Sequence, residues 1–333
     1  MTDVTTGPRP SAGGPGDRAA SPAVPRPAAP GDPGARPLRP TRRRLPWAVR
    51  LLLAPFLVFF VATFVAPILY SVWTSLFGTT SGGGLGLSKS ETVFVGLENF
   101  VRVAQSGPFW TGMGRVLLYG VVQVPVMTVF ALALALVLDA LMRRVKKLLQ
   151  LVYFLPYAVP GVVAALIWTY LYVPQLSPVV QLLERVGAPS DVFLQPSALL
   201  ISIANIATWS WTGYNMIIIL AGLQAIPRDQ FEAARLDGAS EWRIARSIKI
   251  PSVAGAIGLA VLMSIIGTVQ LFNEPTIMRT VSANIDSQYT PMMMGYNAVS
   301  SDPGFSSAIA LSMALVTGVL VFAYYRLSTR LSR

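Results

Sequence analysis

Six long apolar stretches divide this 333-residue chain, and each matches the thickness of a membrane's hydrocarbon core. A helix needs about 20 mostly apolar residues to cross a bilayer. Hydrophobic residues make up 53% of the chain and charged residues only 12%, about half the charged fraction of a soluble domain. We therefore predict an all-α integral membrane protein with six transmembrane helices, covering roughly residues 51–77, 116–138, 149–173, 198–223, 252–272 and 306–325.

The basic residues lie at alternate ends of these stretches. The net charge is +11, which by itself is also compatible with nucleic-acid binding. The clusters precede the first stretch, follow the second and follow the last: Arg42, Arg43, Arg44; Arg143, Arg144, Lys146, Lys147; Arg326, Arg330, Arg333. Cytoplasmic loops of membrane proteins carry such an excess of Lys and Arg. The pattern predicts that both termini are cytoplasmic, and it makes nucleic acid an unexpected partner.

The first 45 residues differ in composition from the remainder of the chain. They are rich in Pro, Gly, Ala and Arg and contain almost no large apolar residue, so they cannot bury enough surface to fold. We predict a disordered cytoplasmic tail over residues 1–45 and one membrane domain over residues 46–333. The chain has no cysteine and no histidine, which excludes thiol chemistry and the usual proton switch.

A polar segment, residues 227–251, separates the fourth and fifth apolar stretches on the predicted cytoplasmic side. Pro227 suits a first helical position, and Gly238 suits the left-handed turn that ends a helix. Ser240 is a suitable N-cap for a second short helix, which Pro251 then stops or kinks. The pattern predicts two short helices joined by a glycine turn.

Both short helices of the polar segment are predicted to be amphipathic. Their apolar residues recur at helical spacing: Phe231, Ala234, Trp242, Ala245 and Ile248. An amphipathic helix of this kind can dock onto a soluble protein or lie on the lipid surface. The residues alone leave both interpretations open.

The spacing of residues in the polar segment is similar to a known family motif. Glu232-Ala233-Ala234 is followed after three residues by Gly238 and, nine residues later, by Ile248-Lys249-Ile250-Pro251. This pattern resembles that of permease subunits of type I ABC importers, with Ile250 in place of the usual leucine. The resemblance implies a coupling helix between transmembrane helices 4 and 5, with these contacts to the ATPase: Glu232, Ala233, Ala234, Asp237, Gly238, Ile248 and Pro251.

The resemblance also implies a set of partners in a bacterial cytoplasmic membrane. These are a second homologous permease, two copies of a cytoplasmic ATPase that binds Mg-ATP, and an extracytoplasmic sugar-binding protein. The chain itself is expected to hold no cofactor or metal and to catalyse no reaction. Its glycine run at residues 82–86 lacks the Gly-Lys-Ser/Thr ending of a phosphate loop, and no other segment offers one.

Polar and aromatic residues of the fourth and fifth stretches suggest a sugar path. Sugars need aromatic faces together with amide or carboxylate partners. Phe272-Asn273 resembles an element of the sugar branch of these permeases, the maltose and glycerol-phosphate group, over residues 45–333. Glu274-Pro275-Thr276 departs from the commoner pattern and is reminiscent of permeases for β-linked disaccharides. The candidate path residues are Asn205, Trp209, Tyr214, Gln270, Phe272, Asn273 and Glu274.

Three other interpretations stay open from the sequence. Another solute is one alternative, although an anion would need Arg or Lys in its path and none lies deep in a predicted span. An embedded enzyme or a membrane scaffold is the other class. Asp139, Arg115 and Glu274 are expected at span ends. A carrier driven by protons usually keeps an ionisable residue at membrane depth, so an external energy source is predicted.

Overall fold

The computed structural model describes residues 47–80 and 91–331. The predicted tail at residues 1–45, Arg333 and the glycine run at 82–86 therefore lie outside the described residues. Contacts divide the chain into residues 1–57 and 58–333, and the contacts given below lie within the second of these units. The elements up to the second long helix are α1 Trp47–Phe60, a π-helical turn Val61–Val65, α2 Ala66–Ser75, β1 Phe77–Thr80, β2 Glu91–Phe94, α3 Glu98–Gln105 and α4 Gly107–Ala140.

The remaining described elements are helical. They are α5 Arg143–Ala158, α6 Gly161–Tyr172, α7 Pro178–Arg185, α8 Pro196–Gln224, α9 Arg228–Leu236, α10 Glu241–Ile244, a π-helical turn Ala245–Lys249, α11 Ile250–Ser252, α12 Ala254–Val269, α13 Asn273–Met278, α14 Pro291–Ala298 and α15 Pro303–Leu331. The part of the chain that the structure describes is thus mostly helical.

Several of these helices are long and apolar enough to cross a membrane. Within residues 47–80 and 91–331, four qualify singly, and a bent pair brings the total to as many as five. The four are Leu51–Ser75, Gly107–Ala140, Ala254–Met278 and Pro303–Arg330, and the pair is Arg144–Ala158 with Gly161–Tyr172. Many of their apolar side chains, such as Phe59, Leu118 and Leu315, are exposed on this chain. These side chains are therefore available to lipid or to other subunits.

The prediction of an all-α chain is wrong at one place. Strands β1 and β2 form an antiparallel hairpin in which Phe77 pairs with Phe94. The two rings meet edge to face with their centroids 5.5 Å apart. Thr79, Thr92 and Val93 are β-branched and favour extended backbone, a short-range pattern that differs from the long apolar stretches of the membrane helices.

The third apolar stretch is not the continuous helix that the sequence predicted. Helices α5 and α6 meet at an angle of 92°. Between them Val159 has φ −76° and ψ 128° and Pro160 has φ −54° and ψ 135°. Proline lacks an N–H and pushes the residue before it toward extended backbone. The Val159-Pro160 pair therefore breaks this helix.

Each of the two π-helical turns is followed closely by a proline. The N–H of Ala66 donates to the carbonyl of Val61, and Pro67 comes next. The N–H of Ile250 likewise donates to the carbonyl of Ala245, directly before Pro251. Proline cannot donate to the carbonyl four residues back, so a wider turn is tolerated there. Pro251 lies in the last turn of the second short helix, which ends at Ser252 before the non-helical Val253, in agreement with the predicted stop or kink.

Close packing of α8 against α4 and α5 organises the interior. Apolar residues of α4 and α8, among them Ala131, Leu138 and Ile219, form one fully buried cluster. On the α5 side, Gly213 of α8 lies directly against the backbone of Tyr153 and Phe154. Only a residue without a side chain allows two helix backbones to approach so closely.

Candidate functional site

A cavity of about 500 Å³ lies where α5 breaks from α6, and we call it the bend cavity. Its walls come from the middle of α4, the break itself, α8, and the region that joins α12 to α13. Pockets of roughly 300–1,000 Å³ are typical of small-molecule sites. The lining residues used below are Tyr119, Gln123, Met127, Tyr157, Pro160, Gly161, Trp211, Tyr214, Asn215, Ser264, Gln270, Phe272, Asn273 and Glu274.

The helix break contributes backbone as well as side chains to this cavity. Residues 157–161 all line it, and they include the end of α5 and the start of α6. The last carbonyls and first N–H groups of a helix have no partner within that helix. In a membrane protein, non-helical backbone is tolerated only where it is buried in protein or lines a water-filled cavity. The break thus gives the cavity polar groups that the apolar sequence conceals.

Three aromatic rings form one wall of the bend cavity. The rings of Tyr157 and Tyr214 are stacked with centroids 4.8 Å apart and planes at 21°. Trp211 meets the ring of Tyr157 edge to face at 5.2 Å and that of Tyr214 at 6.0 Å. This packing fixes the rings relative to one another. It gives the cavity flat apolar surfaces bordered by two phenol hydroxyls and an indole N–H.

Amide side chains supply hydrogen-bonding groups in the same cavity. Asn215 is only 2% exposed, and its Nδ2 lies 3.4 Å from Ser264 Oγ and 3.5 Å from Met127 Sδ. Its Oδ1 has no hydrogen-bond partner among the described residues. A buried carbonyl oxygen without a partner is costly. Asn215 Oδ1 is thus a buried acceptor beside the cavity that the described residues leave without a partner.

Five of the seven candidate path residues line the bend cavity: Tyr214, Gln270, Phe272, Asn273 and Glu274. The other two lie elsewhere. Asn205 Nδ2 donates to the hydroxyl of Tyr172 at 2.9 Å. The Trp209 ring packs edge to face on Trp168 with centroids 6.0 Å apart. The structure therefore brings together the residues after α12 with one side of α8.

Arg115 and Glu274 both belong to helices that extend beyond the apolar stretches predicted from the sequence. Arg115 is inside α4, where its Nη1 donates to the carbonyl of Tyr289 at 3.2 Å. Glu274 belongs to α13, within the candidate span Ala254–Met278. The apolar stretches underestimated both helices because they ended at the first polar residues. Glu274 is a carboxylate in the cavity wall, and the placement of both residues at the ends of the membrane spans stays a prediction.

Tyr119, Gln123 and Tyr157 also line the bend cavity, although they are not among the residues predicted from the sequence. Tyr119 and Gln123 are one helical turn apart in α4, so they lie on one face. Tyr157 comes just before the Val159-Pro160 break. A polar pair at this spacing in a long apolar helix, and a proline within the third stretch, were the available signals.

The polar segment folds as two short helices around Gly238, as predicted. Gly238 has φ +76°, and its N–H donates to the carbonyl of Arg235 while the N–H of Ala239 donates to that of Ala234. These two bonds form the Schellman motif that ends α9. The Ser240 hydroxyl accepts from the Arg243 N–H and caps α10. Pro227 lies at the N-cap, one residue earlier than predicted.

The predicted apolar face of the polar segment is only partly correct. Trp242 is 71% exposed and Leu236 is 89% exposed, whereas Ile244 is fully buried. The π-helical turn after Ile244 changes the helical periodicity, so residues on either side of it do not share a single face. The segment thus presents two large apolar side chains outward.

The candidate ATPase contacts are mostly accessible on this chain. Glu232, Ala233, Asp237, Gly238 and Pro251 are exposed, and Ala234 and Ile248 are half-buried.

One ion pair on this surface joins the two short helices. Arg235 Nε lies 2.8 Å from Glu241 Oε1, and both side chains are exposed. The hydrogen bond between them lowers the pKa of the Glu241 carboxyl and raises that of the Arg235 guanidinium. Exposed pairs contribute little to stability because water and salt screen them.

Comparisons with known proteins agree with this geometry. Residues 127–333 match the family described as binding-protein-dependent transport system inner membrane component. The chain belongs to this family. It is therefore a component of a membrane transport system with several apolar helices, and the matched residues include the polar segment and most of the bend cavity.

Individual relatives cover nearly the whole permease. A probable ABC transporter permease protein, YurN of Bacillus subtilis, is 30% identical over 80% of this chain and 91% of its own length. The lactose transport system permease LacF of Rhizobium radiobacter is 31% identical over 82% and 91%. The trehalose transport system permease SugA of Mycobacterium tuberculosis is 29% identical over 87% and 90%.

A solved structure shares the fold. It is a bacterial alginate ABC transporter in complex with an alginate pentasaccharide-bound periplasmic protein. One of its chains matches with a TM-score of 0.72 at 18% identity, covering 86% of this chain and 96% of that one.

Proposed function

We propose that this chain is a membrane-spanning subunit of an ATP-driven importer for a di- or oligosaccharide, and that it forms half of the translocation path. The bend cavity carries the proposal, since it combines stacked aromatic rings with amide groups inside a permease fold. Relatives named for lactose and trehalose transport support the same solute class.

The charge of the cavity wall supports a neutral solute. Glu274 is an acidic residue among the lining residues, and these described residues include no Lys or Arg. A phosphate or a uronic acid would bring a second negative charge into a site of low dielectric, which raises its energy. Hydroxyl groups of a neutral sugar can instead donate to Glu274 and Asn273.

We infer six transmembrane helices. Five are the four single spans and the bent pair that are apolar enough to cross a membrane, and α8 is the sixth. Helix α8 has 29 residues, and at 1.5 Å per residue it is about 43 Å long, enough to cross the hydrocarbon core. Its polar residues Ser210, Tyr214 and Asn215 line the bend cavity, which explains its lower apolarity. With six spans, the positive-inside rule gives cytoplasmic termini and a cytoplasmic polar segment.

We propose that the polar segment is the coupling helix, and that it contacts a separate ATPase that binds Mg-ATP. Exposed Leu236 and Trp242 give it an apolar contact surface, and the contact residues are those that the motif implies, from Glu232 to Pro251. The other proposed partners are a second homologous permease, a second ATPase copy and an external sugar-binding protein. The sugar-bound periplasmic protein in the alginate transporter complex supports the last of these.

The alternative functions make different predictions. A permease for a non-sugar solute would use the same kinds of partner. Uptake measurements with sugars and non-sugar solutes are therefore needed to distinguish it from a sugar permease. An embedded enzyme needs clustered catalytic groups. Among the described residues, no three His, Cys, Asp or Glu side chains cluster in a way that could hold a metal ion. A scaffold would bring down no ATPase.

Asn273→Ala is expected to lower sugar uptake roughly tenfold, because a hydroxyl that loses its amide partner costs about 1–3 kcal/mol. Asn205→Ala is the matched control. Both residues are asparagines of the membrane domain; Asn273 is half-buried and lines the cavity, whereas Asn205 is exposed on this chain and lies outside it. Initial uptake rates of labelled lactose, trehalose, maltose and cellobiose in a deletion strain, at equal membrane levels of each variant, are the measurement. Equal losses in both variants would contradict the proposed path.

A further inference from the structure

Lys249 is buried in the polar segment, although most of that segment is exposed. The residue is 7% exposed, and among the residues that the structure describes it is the one charged residue that is buried. Its Nζ lies 2.7 Å from Asp139 Oδ2, near the end of α4. A buried charge is tolerated only when it is paired. This ion pair therefore fixes where the polar segment sits against α4.

Asp139 is held from two sides. Lys146 of α5 approaches its other oxygen, with Nζ 3.6 Å from Oδ1. A carboxylate at the C-terminal end of a helix, and a cation in the first turn of one, are each unfavourable to the helix dipole. Neither Asp139 nor Lys146 therefore stabilises its own helix. Their placement is explained by the contact between elements rather than by local helix stability.

Lys249 also connects the two arms of the polar segment. Its Nζ lies 5.2 Å from the centroid of the Phe231 ring in α9, within range of a cation–π contact. Lys249 is the last residue of the π-helical turn Ala245–Lys249. Wide turns of this kind often occur at functional sites. Here the turn changes the helical register after Ile244. Lys249 is thereby buried, with its ammonium group against Asp139.

Helix α4 leads from this ion pair to the bend cavity. Asp139 lies twelve residues beyond Met127 on the same helix, and Met127, Gln123 and Tyr119 line the cavity. Twelve helical residues span about 18 Å. A helix transmits displacement along its axis as a rigid element. A movement of the polar segment that keeps Lys249 paired therefore moves a wall of the cavity.

We propose that the Lys249–Asp139 pair is a mechanical latch, through which movement of the polar segment is passed to α4 and the cavity wall. Both are positioning residues, since neither lines the bend cavity. The proposal rests on the proposed function for the source of the movement. Lys146 strengthens the latch on the α5 side. Coupling here means that the conformation of the polar segment and that of the bend cavity are linked by a free energy through α4.

The test uses the assembled importer in proteoliposomes and compares Asp139→Asn with Lys249→Met. Sugar uptake per ATP hydrolysed is expected to fall roughly tenfold in Asp139→Asn, while the ATPase still co-purifies. Lys249→Met breaks the same pair and should lower the uptake per ATP as well, while Asp139 keeps Lys146 and is not left without a cation. Lys249→Arg keeps the charge and should retain at least half of the coupling.

Asp302→Asn is the matched control. Asp302 forms an ion pair of similar length with Arg102, 2.8 Å, outside both the cavity and the polar segment. Its uptake per ATP should match that of the unmodified chain. Unchanged coupling in both Asp139→Asn and Lys249→Met would overturn the latch.

A second measurement separates the latch from the proposed function. The chain has no cysteine, so Trp242→Cys accepts a single spin label on the exposed face of the polar segment. In the purified chain alone, Asp139→Asn should make this label more mobile, and Lys249→Arg should not. If Asp139→Asn makes the label more mobile while the unmodified chain co-purifies with no ATPase, the latch is supported and the transport proposal is refuted. An immobile label in Asp139→Asn refutes the latch.

Discussion

Replacing Gly213 by alanine should lower the amount of folded chain in the membrane roughly tenfold. An added Cβ would overlap the carbonyl oxygen of Tyr153 and lie 2.7 Å from its carbonyl carbon and 3.0 Å from the Cα of Phe154. These neighbours are backbone atoms of α5, which cannot rotate away. Inserting a methyl group into a packed site costs about 1–3 kcal/mol or more. The α5–α8 contact must separate, and it supports the aromatic wall of the bend cavity.

Gly114→Ala is the matched control for this prediction. Gly114 is also a glycine of a long helix, but no heavy atom lies within 4 Å of the Cβ that alanine would add. Alanine favours helix by about 1 kcal/mol over glycine, so this variant should be as abundant as the unmodified chain or more so. Size-exclusion profiles and thermal melting of the two purified variants check the prediction. Similar yields and melting temperatures would show that α8 and α5 are not in close contact.

Gly238→Val is the second large effect, and here the loss should appear in transport. The φ of +76° at Gly238 costs a residue with a side chain about 1–2 kcal/mol, and a β-branched side chain more. The open space around Gly238 means that the backbone alone is responsible. We expect uptake to fall at least roughly tenfold, because the turn that sets α9 against α10 is distorted.

Gly238→Asn distinguishes backbone strain from other causes. Asparagine adopts the left-handed conformation more readily than other residues with side chains, so this variant should keep most of the uptake. Sugar capture by the external binding protein should be normal in both variants, since the binding protein is a separate subunit in the proposed importer. Uptake and ATPase co-purification are measured together. Equal uptake by the valine and asparagine variants would show that the Gly238 turn is not needed for coupling.

Local rules predicted the polar segment to within about one residue. The Gly238 turn and the Ser240 cap depend on backbone geometry and nearby N–H groups, which the sequence specifies directly. Pro227 shifted by one position because a proline fits both the N-cap and the first turn. The role of its residues in ATPase contact stays a prediction from the motif.

The predicted path residues could not all face one cavity, and helix geometry explains why. Asn205 and Tyr214 are nine residues apart in α8, which at 100° per residue is about 180° around the helix. Trp209 lies roughly 140° from Tyr214 on the same count. Composition identifies a polar helix but not the side that faces the cavity. That side is set by contacts with α4 and α5, which are distant in sequence.

The Lys249–Asp139 pair shows the limit of sequence reasoning most clearly. The two residues are 110 positions apart. Asp139 stands at the C-terminal end of α4, which the helix dipole disfavours, and Lys249 is buried, which is rare for a lysine. The position of Asp139 is visible in the sequence, but the partner that compensates for it is not. The π-helical turn that changes the register before Lys249 also has no signal beyond the following Pro251.

The most direct test of the account is sugar uptake by proteoliposomes that contain the importer purified through a tag on this chain. We predict uptake of a labelled disaccharide only when ATP is inside with the ATPase domains and the binding protein is outside. A proton gradient without ATP should drive none. Uptake that follows the proton gradient and ignores ATP, or a purified chain that carries no ATPase, would contradict the central claim.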